Sequence, residues 1–178
     1  MSAKATEKGI EFSIIFDTPI PEQIRTDKTR VRQCLLNIIG NAIKFTDTGY
    51  VHLHISLADD NNGPTIRFDS EDTGIGMNSE EQSRIFEKFS QADSTITRKF
   101  GGTGLGMSIT KQLAKLLGGS ISLKSEKGKG STFSLIIPAG VDISSQSLVN
   151  ELGRSRPTQE TESFQDKLSG NVLVAEDN

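Results

Sequence analysis

Several residue types are scarce in this chain of 178 residues, and each scarcity removes a class of protein. There is one cysteine, Cys34, so the chain has neither a disulfide framework nor a cysteine zinc cluster. No apolar stretch approaches the ~20 residues that a membrane span needs, and the start, MSAKATEKGIEF, lacks the apolar core of a signal peptide. The net charge of −3 gives no reason to expect nucleic acid. We therefore expect a cytoplasmic domain that is not itself inserted into a membrane, although its parent protein can still carry an anchor.

Histidine is nearly as rare as cysteine. His52 and His54 are the only two, and they lie on one face of an alternating strand. A metal site is one interpretation of such a pair. Because no third histidine and only one cysteine exist, and Cys34 sits in apolar sequence typical of a core, we favour a solvated strand face.

The remaining sequence has the periodicity of an α/β domain. Strands are predicted at residues 11–16, 50–58, 65–70, 120–125 and 131–137. Helices are predicted from a cap at Thr26 or Asp27 to residue 45, from a cap at Ser79 to residue 86, and over 105–117, where two glycines end the helix. The cluster at 59–64 is a predicted turn, which makes a hairpin of the strands around it.

Composition divides the chain into four parts. Residues 8–138 form the predicted domain, and residues 1–7 are an N-terminal tail or the end of a preceding helix. Residues 139–170 are polar and nearly free of large apolar side chains, as in a flexible linker. Residues 171–178, NVLVAEDN, have the apolar-then-acidic pattern of a first strand from another, truncated domain.

The long helix carries a polar edge beside its apolar stripe. Asn37, Asn41 and Lys44 fall within an arc of about 60° when residues are placed about 100° apart. Amide oxygens are hard ligands that suit Mg²⁺, and a lysine can meet phosphate oxygens. The alternative is two solvated asparagines and a surface lysine, and spacing does not exclude it.

A second candidate, EDTGIGM, directly follows a strand. Asp72 ends that strand, and Gly74 and Gly76 allow the backbone to pass close to a ligand. A carboxylate here could accept a hydrogen bond from an exocyclic amine such as that of adenine. A plain Asp-Thr-Gly turn is the alternative. An aspartic protease would need two such loops and a larger β protein.

A third candidate, RKFGGTGLGM at 98–107, is a glycine-rich loop that leads into a helix. Free backbone amides and a helix N-terminus attract phosphate, and Arg98 and Lys99 add positive charge. The spacing fits neither a Walker loop nor a dinucleotide fingerprint. A flexible loop without a ligand remains open. Between the glycine loops, Phe86 and Phe89 could anchor a lid over a ligand or only pack in the core.

Taken together and in this order, the segments DKTRVRQCLLNIIGNAIKFT, DTGIGM, IFEKFSQAD, RKFGGTGLGMSI and GKGSTFSLIIP resemble the N box, glycine boxes and F box of sensor histidine kinases. The resemblance covers residues 8–138. It implies the Bergerat-type ATP-binding fold that type II topoisomerases, a heat-shock chaperone class and mismatch-repair ATPases share. That fold is an α+β two-layer sandwich, a mixed sheet covered on one face by helices, with a mobile ATP lid. The implied cofactors are ATP and Mg²⁺.

The resemblance also implies roles for individual residues. Asn41 corresponds to the Mg²⁺ ligand, Asn37 to a residue that supports the ion and the phosphates, and Lys44 to a phosphate contact. Phe45 would lie near the nucleotide, and Asp72 would read adenine. The other implied ATP contacts are Gly74, Gly76, Met77, Arg98, Lys99, Gly102, Thr103, Gly104, Leu105, Gly106 and Thr132.

Two features of the resemblance bear on activity. The ATPase relatives carry a glutamate that activates water where this chain has Asn37, which is no base at neutral pH. The family's phosphoacceptor motif is absent, because neither His52 nor His54 has its helical context. The implied function is to bind Mg·ATP for autophosphorylation of a histidine on a separate dimerisation domain, with no catalytic residue in this fragment. A hydrolytic ATPase clamp and a regulatory nucleotide-binding module are the rival interpretations.

Two further segments bear on the parent protein and on the strand before Asp72. NVLVAEDN resembles the start of a receiver domain, in which Glu176 and Asp177 would help to bind Mg²⁺. This implies a hybrid kinase, homodimeric, with a downstream receiver or response regulator as partner. In contrast, FDSE at 68–71 is more acidic than the apolar pattern of the family at that place.

Overall fold

The computed structural model of the chain describes residues 1–60, 63–87 and 105–150. Within these residues the helices are α1 (Ser2–Lys8), α2 (Lys28–Phe45), α3 (Ser79–Arg84) and α4 (Gly106–Leu116). The strands are β1 (Glu11–Phe16), β2 (Ile20–Pro21), β3 (Tyr50–Asp60), β4 (Gly63–Asp72), β5 (Ser120–Glu126), β6 (Gly130–Pro138) and β7 (Leu148–Val149). A short 3₁₀ helix spans Ile143–Ser145.

Five of these strands form one mixed sheet in the order β1-β3-β4-β6-β5. Strand β1 runs parallel to β3, and the other neighbours are antiparallel. The predicted α/β class with a mixed sheet is confirmed. Strands β3 and β4 pair further than predicted, since Asp59 pairs with Pro64 and Asp60 with Gly63, so that the predicted turn is shorter than the sequence suggests.

Helix α2 forms because its two ends are capped and one side is apolar. The Asp27 side chain accepts a hydrogen bond from the Arg30 amide at the start, and the Thr46 hydroxyl donates to the Ala42 carbonyl at the end. The Lys8 ammonium group donates to the last carbonyls of the helix. A cation is stabilised there because the helix dipole is negative at its C-terminal end. The buried residues of the helix follow a period of 3.6, and they are Val31, Cys34, Ile38, Ile39, Ala42 and Ile43.

The alternation of the strands gives the sheet two unlike faces. We call the face toward α2 and α4 the covered face, because both helices pack on the sheet from that side. On β3 and β4 the covered face carries Val51, Leu53, Ile55, Ile66, Phe68, Ser70 and Asp72. We call the opposite face, with His52, His54 and Glu71, the open face. Helices on one face of a mixed sheet agree with the expected two-layer arrangement.

The N-cap residue of helix α3 lies one position before the predicted one. Its cap is Asn78, not Ser79. The Asn78 side chain accepts from the Glu81 amide, and the Glu81 carboxylate accepts from the Asn78 amide, so both orphan donors are satisfied by one capping box. Gln82, the third residue after Ser79, does not form such a pair, because its side-chain amide donates to the Met77 and Ser125 carbonyls.

The chain after β6 differs from the predicted linker over its first eleven residues. The Ala139 amide donates to the Pro64 carbonyl, and the Ala139 carbonyl accepts from the Arg25 amide. Strand β7 then pairs with β2. The polar composition of this stretch therefore conceals a segment that is bound to the domain through its backbone. The predicted linker beyond residue 150 and the NVLVAEDN segment lie outside the described residues.

Candidate functional site

Asn37 and Asn41 lie on one edge of α2, as predicted, but they have different surroundings. The Asn37 amide nitrogen donates to the Thr110 hydroxyl at 2.6 Å. A Cβ placed on Gly106 would lie 2.6 Å from the Asn37 side-chain oxygen, so a larger residue at the start of α4 would displace the Asn37 amide. Asn37 thus joins α2 to α4. Asn41 is half-buried one turn further along the same edge.

The C-terminal end of α2 meets the turn after β4. The Phe45 carbonyl accepts from the Ile75 amide at 3.3 Å, and a Cβ on Gly74 would lie 2.5 Å from that same carbonyl oxygen. Gly74 is therefore required for the close approach. Lys44 lies here too, with its Nζ 4.9 Å from the Phe45 ring centroid. The turn brings the end of β4 to the end of α2 that carries Lys44 and Phe45.

Asp72 is the buried charge of this region, with 6% of its surface exposed. Its Oδ1 accepts from the Gly74 amide at 2.9 Å. Burial raises the pKa of Asp72 to about 6, while backbone hydrogen bonds from Gly74 and Ser131 oppose that rise. The carboxylate is thus ionised at neutral pH but incompletely solvated, which suits it to accept a hydrogen bond from a ligand amine.

The rest of the first glycine turn rests on the β5–β6 hairpin. Gly76 has φ +59°, and any Cβ there would collide with the Glu126 carbonyl. The Met77 amide donates to the Ser125 hydroxyl at 2.8 Å, and the Gly128 amide donates to the Ile75 carbonyl at 2.8 Å. The glycines at 74 and 76 are therefore explained by packing against backbone, whatever a ligand requires in addition.

Thr132 is not brought to Asp72. It pairs with Glu71 and shares the open face, whereas its neighbour Ser131 pairs with Asp72 on the covered face. The Ser131 hydroxyl lies 2.9 Å from the Ser125 hydroxyl. Ser131, which the sequence analysis did not single out, is thus the hydroxyl that shares a face with Asp72. The alternation of the strand places Ser131 and Thr132 on opposite faces, but only the register with β4 shows which of them faces the same side as Asp72.

Only the end of the second glycine loop is described. Leu105 caps α4, where its carbonyl accepts from the Ser108 hydroxyl, and Gly106 packs on Asn37. The predicted contacts at Arg98, Lys99, Gly102, Thr103 and Gly104 lie outside the described residues, as does most of the predicted lid. Phe86, at the beginning of that lid, packs edge-on to Phe133 with ring centroids 6.4 Å apart, as its alternative core role requires.

An open groove of about 560 Å³ lies between the N-terminal parts of α2 and α4. It contains Asn37 and Gly106 but neither Asn41 nor Asp72. Its lining residues are Thr29, Arg32, Gln33, Leu36, Asn37, Gly106, Ile109 and Thr110. The groove therefore does not coincide with the region where α2 and β4 converge.

The two histidines take part in pairs on the open face. His52 lies 3.3 Å from a Glu11 oxygen, and His54 lies 2.9 Å from an Asp17 oxygen. Across residues 1–60, 63–87 and 105–150, no three His, Cys, Asp or Glu side chains come together as a metal site. In that same part of the chain, no helix combines the length and apolar character needed to cross a bilayer.

The residues present suit a magnesium nucleotide. Asn41 offers a hard amide oxygen, Lys44 a cation, and Asp72 a buried acceptor next to glycines where backbone approaches closely. Asn37 suits direct Mg²⁺ ligation less well, because its nitrogen is engaged with Thr110 and its oxygen faces Gly106. The donor set thus fits an amine-bearing base at one end and a metal-bound polyphosphate at the other.

Comparison with known proteins places the chain in a family. Residues 26–141 match the family described as histidine kinase-, DNA gyrase B-, and HSP90-like ATPase. Hybrid signal transduction histidine kinase B of Dictyostelium discoideum is 44% identical over 142 residues, which are 79% of this chain and 7% of that protein. The aerobic respiration control sensor protein ArcB of Escherichia coli (strain K12) is 42% identical over 137 residues, which are 76% of this chain and 17% of that protein. The chain thus spans less than a fifth of these two relatives.

Solved structures give the same result. Full-length ShkA, solved in complex with AMPPNP, matches with a TM-score of 0.66 and 36% identity, over 85% of this chain and 28% of that one. The nucleotide-free catalytic domain of the histidine kinase ThkA matches with a TM-score of 0.61 and 27% identity, over 78% of this chain and 86% of that one. The second match extends over nearly all of a catalytic domain.

Proposed function

Since this chain belongs to the family of histidine kinase-, DNA gyrase B- and HSP90-like ATPases, we propose that it binds Mg·ATP and presents the γ-phosphate to a histidine on a separate dimerisation domain. The observation that carries the proposal is the meeting of Asp72 with the C-terminal end of α2. Gly74 packs on the Phe45 carbonyl and donates to Asp72, which sets a buried acceptor next to the last turn of α2. The AMPPNP complex of ShkA supports a nucleotide as the ligand.

Each end of the nucleotide has its residues in this proposal. Asp72 accepts from the exocyclic amine of adenine, and Gly74, Gly76 and Met77 line the approach. Asn41 ligates Mg²⁺ through its amide oxygen, and Lys44 meets phosphate oxygens. Asn37 fixes the position of α4 relative to α2, and so the place of the phosphates at the start of α4. The residues of the second glycine loop, including Arg98 and Lys99, complete the phosphate contacts.

Transfer is favoured over hydrolysis because the described site offers no general base where the ATPases have one. Asn37 is an amide, and its nitrogen donates to Thr110 instead of orienting a water. Phosphoryl transfer requires mainly positioning and neutralisation of charge, which Mg²⁺ and lysine supply. The parent, like its hybrid histidine kinase relatives, would carry the phosphoacceptor histidine and a receiver domain, act as a homodimer and lie in the cytoplasm.

The deciding experiment mixes the purified chain with a separately made histidine-bearing hairpin and γ-labelled ATP. Label on the hairpin histidine is expected only when both partners and Mg²⁺ are present. The matched control is the Asp72→Asn chain, which should transfer little label. Steady phosphate release without labelled histidine would instead identify a hydrolytic clamp, and binding with neither outcome would identify a regulatory module.

A further inference from the structure

Thr110 is a buried residue of α4, with 1% of its surface exposed. Its hydroxyl accepts a hydrogen bond from the Asn37 amide nitrogen at 2.6 Å and donates one to the Gly106 carbonyl at 3.0 Å. The two bonds form a short chain that runs from the middle of α2, through Thr110, to the first residue of α4. Both ends of this chain belong to residues that the proposed function assigns to the phosphate end of the nucleotide, whereas Thr110 itself has no role there.

The direction of the two bonds fixes the orientation of the Asn37 amide. A hydroxyl has a single proton, and the Gly106 carbonyl takes it, so toward Asn37 the Thr110 hydroxyl can only accept. The nitrogen end of the amide therefore faces Thr110, because a reversed amide would set two acceptors against each other. The amide oxygen lies on the other side, within 2.6 Å of the place of a Cβ on Gly106. Thr110 thus decides that Asn37 presents an acceptor, not a donor, to the start of α4.

The Asn37 amide lies where a ligand can reach it. Asn37 is half-buried, and with Gly106 and Thr110 it lines the open groove of about 560 Å³ between α2 and α4. Asn41, the residue assigned to the metal, follows one helical turn later on the same edge, and side chains at this spacing are about 5–6 Å apart. Mg²⁺ keeps several waters when it binds phosphates, and these waters are donors, whereas free phosphate oxygens only accept. An amide that presents its oxygen therefore favours the nucleotide with its metal over the bare polyphosphate.

We propose that Thr110 is a positioning residue of the nucleotide site, which acts through Asn37 by holding the amide oxygen toward the magnesium end of the nucleotide and the amide nitrogen away from it. The inference rests on the proposed function. Without the Thr110 hydroxyl the amide is free to turn, and its nitrogen would then offer donors to the phosphate oxygens. Thr110 therefore contributes to the preference for Mg·ATP over ATP alone, rather than to affinity for nucleotide in general.

The test measures binding of a non-hydrolysable ATP analogue by titration calorimetry, once with excess Mg²⁺ and once with a chelator. Thr110→Val keeps the shape of the side chain and removes the hydroxyl, and it should lower the ratio of the two affinities about tenfold. Thr110→Ser keeps the hydroxyl and should leave the ratio within about twofold of that of the unaltered chain. The matched control is Ser108→Ala, which removes another buried hydroxyl of α4, one that donates to the Leu105 carbonyl, and should leave the ratio unchanged.

A double-mutant cycle tests whether Thr110 acts through Asn37. In an Asn37→Ala background, Thr110→Val should cause no further change in the ratio, because there is no amide left to orient. Urea unfolding of the same four chains without nucleotide gives a second readout. There the losses of the two single variants should not add, since both variants remove the same hydrogen bond.

The outcomes separate this inference from the proposed function. If Thr110→Val weakens binding equally with and without Mg²⁺, or if Thr110→Ser loses as much of the ratio as Thr110→Val, the positioning role is overturned while nucleotide binding stands. Additive losses in the unfolding cycle would overturn it as well. If the unaltered chain binds the analogue under neither condition, the proposed function and the role of Thr110 fail together.

Discussion

Glu71 and Asp72 are adjacent carboxylates at the end of one strand, yet the two faces of the sheet give them different chemistry. Glu71 lies on the open face, where it accepts from the Tyr50 hydroxyl at 2.8 Å and approaches His54 at 3.7 Å. Asp72 lies on the covered face, where burial raises its pKa to about 6. The difference teaches that the alternation of a strand can separate a buried carboxylate from a surface carboxylate over a single residue.

On the open face, ionisable side chains pair with one another in contact with solvent. His52 stacks on Tyr50 with ring centroids 4.1 Å apart, and it pairs with the exposed carboxylate of Glu11. The Glu71 hydrogen bond and charge raise the pKa of Tyr50. Exposed pairs of this kind contribute little to stability. The covered face instead holds the Asp72 carboxylate together with the Ser70 and Ser131 hydroxyls, all of them buried.

The largest effect on stability is expected from distorting the turn after β4, which holds Asp72 on the covered face. Gly76→Ala should lower the free energy of unfolding by at least about 3 kcal/mol, because the new Cβ meets the Glu126 carbonyl at a positive φ. Gly128→Ala is the matched control. It also has positive φ but no neighbour within 4 Å, so it should cost about 1 kcal/mol. Urea unfolding measures both, and equal losses would contradict the close approach.

The second effect is a pH dependence that belongs to Asp72. Between its ordinary pKa of 3.8 and about 6, the folded chain keeps a proton that the unfolded chain has lost. Stability from this group is therefore full below pH 3.8 and is lost as the pH rises through about 6, by about 2–3 kcal/mol. Asp72→Asn should lack this component. Unfolding of both chains from pH 4 to 7 measures it, and parallel curves would argue against a buried carboxylate.

The third effect compares what the two carboxylates contribute to nucleotide binding. Asp72→Asn should weaken nucleotide binding by a factor on the order of 50, because a charge-assisted acceptor is replaced by an amide that also presents donors. Glu71→Gln, one residue away on the open face, should leave the affinity within about twofold. Calorimetry with a non-hydrolysable ATP analogue measures both. Unchanged affinity in Asp72→Asn would remove its assigned role.

A smaller effect is expected at the phosphate end. Asn41→Asp should reduce Mg·ATP affinity about tenfold, because a carboxylate repels the phosphates even where it can ligate the metal. Gln33→Glu introduces the same change of charge at an exposed position of the same helix and serves as its control. Titrations with and without Mg²⁺ separate the two contributions. If both variants lose affinity alike, the effect is one of overall charge.

The smallest effect concerns the open face alone. Replacing His52 and His54 together by glutamine should change nucleotide affinity less than about twofold and stability by less than about 1 kcal/mol, since their pairs with Glu11 and Asp17 are exposed. Calorimetry and thermal unfolding measure these quantities. A large loss of affinity would show that the two faces are coupled and would break the comparison.

Some of these positions could be predicted from sequence, and others could not. The edge of α2 with Asn37, Asn41 and Lys44 follows from helical spacing, and Asp27 is a recognisable cap. Asn78 was missed as a cap in favour of Ser79, because both residue types favour that place and only the reciprocal bond with Glu81 distinguishes them. The sequence could not show that Ser131 and not Thr132 shares a face with Asp72, because one sequence does not contain the register between two strands.

The chain's own pattern of apolar and polar residues determined where α2 and the strands form, since these depend on spacing and on caps only a few residues away. Tertiary structure alone decided that Gly74 touches the Phe45 carbonyl, that Asn37 bonds Thr110 and that the Ser70 hydroxyl has no partner in the described protein. The reason is that each of these depends on groups distant in the sequence or on buried surroundings, and a local pattern carries no information about which distant groups will pack against it.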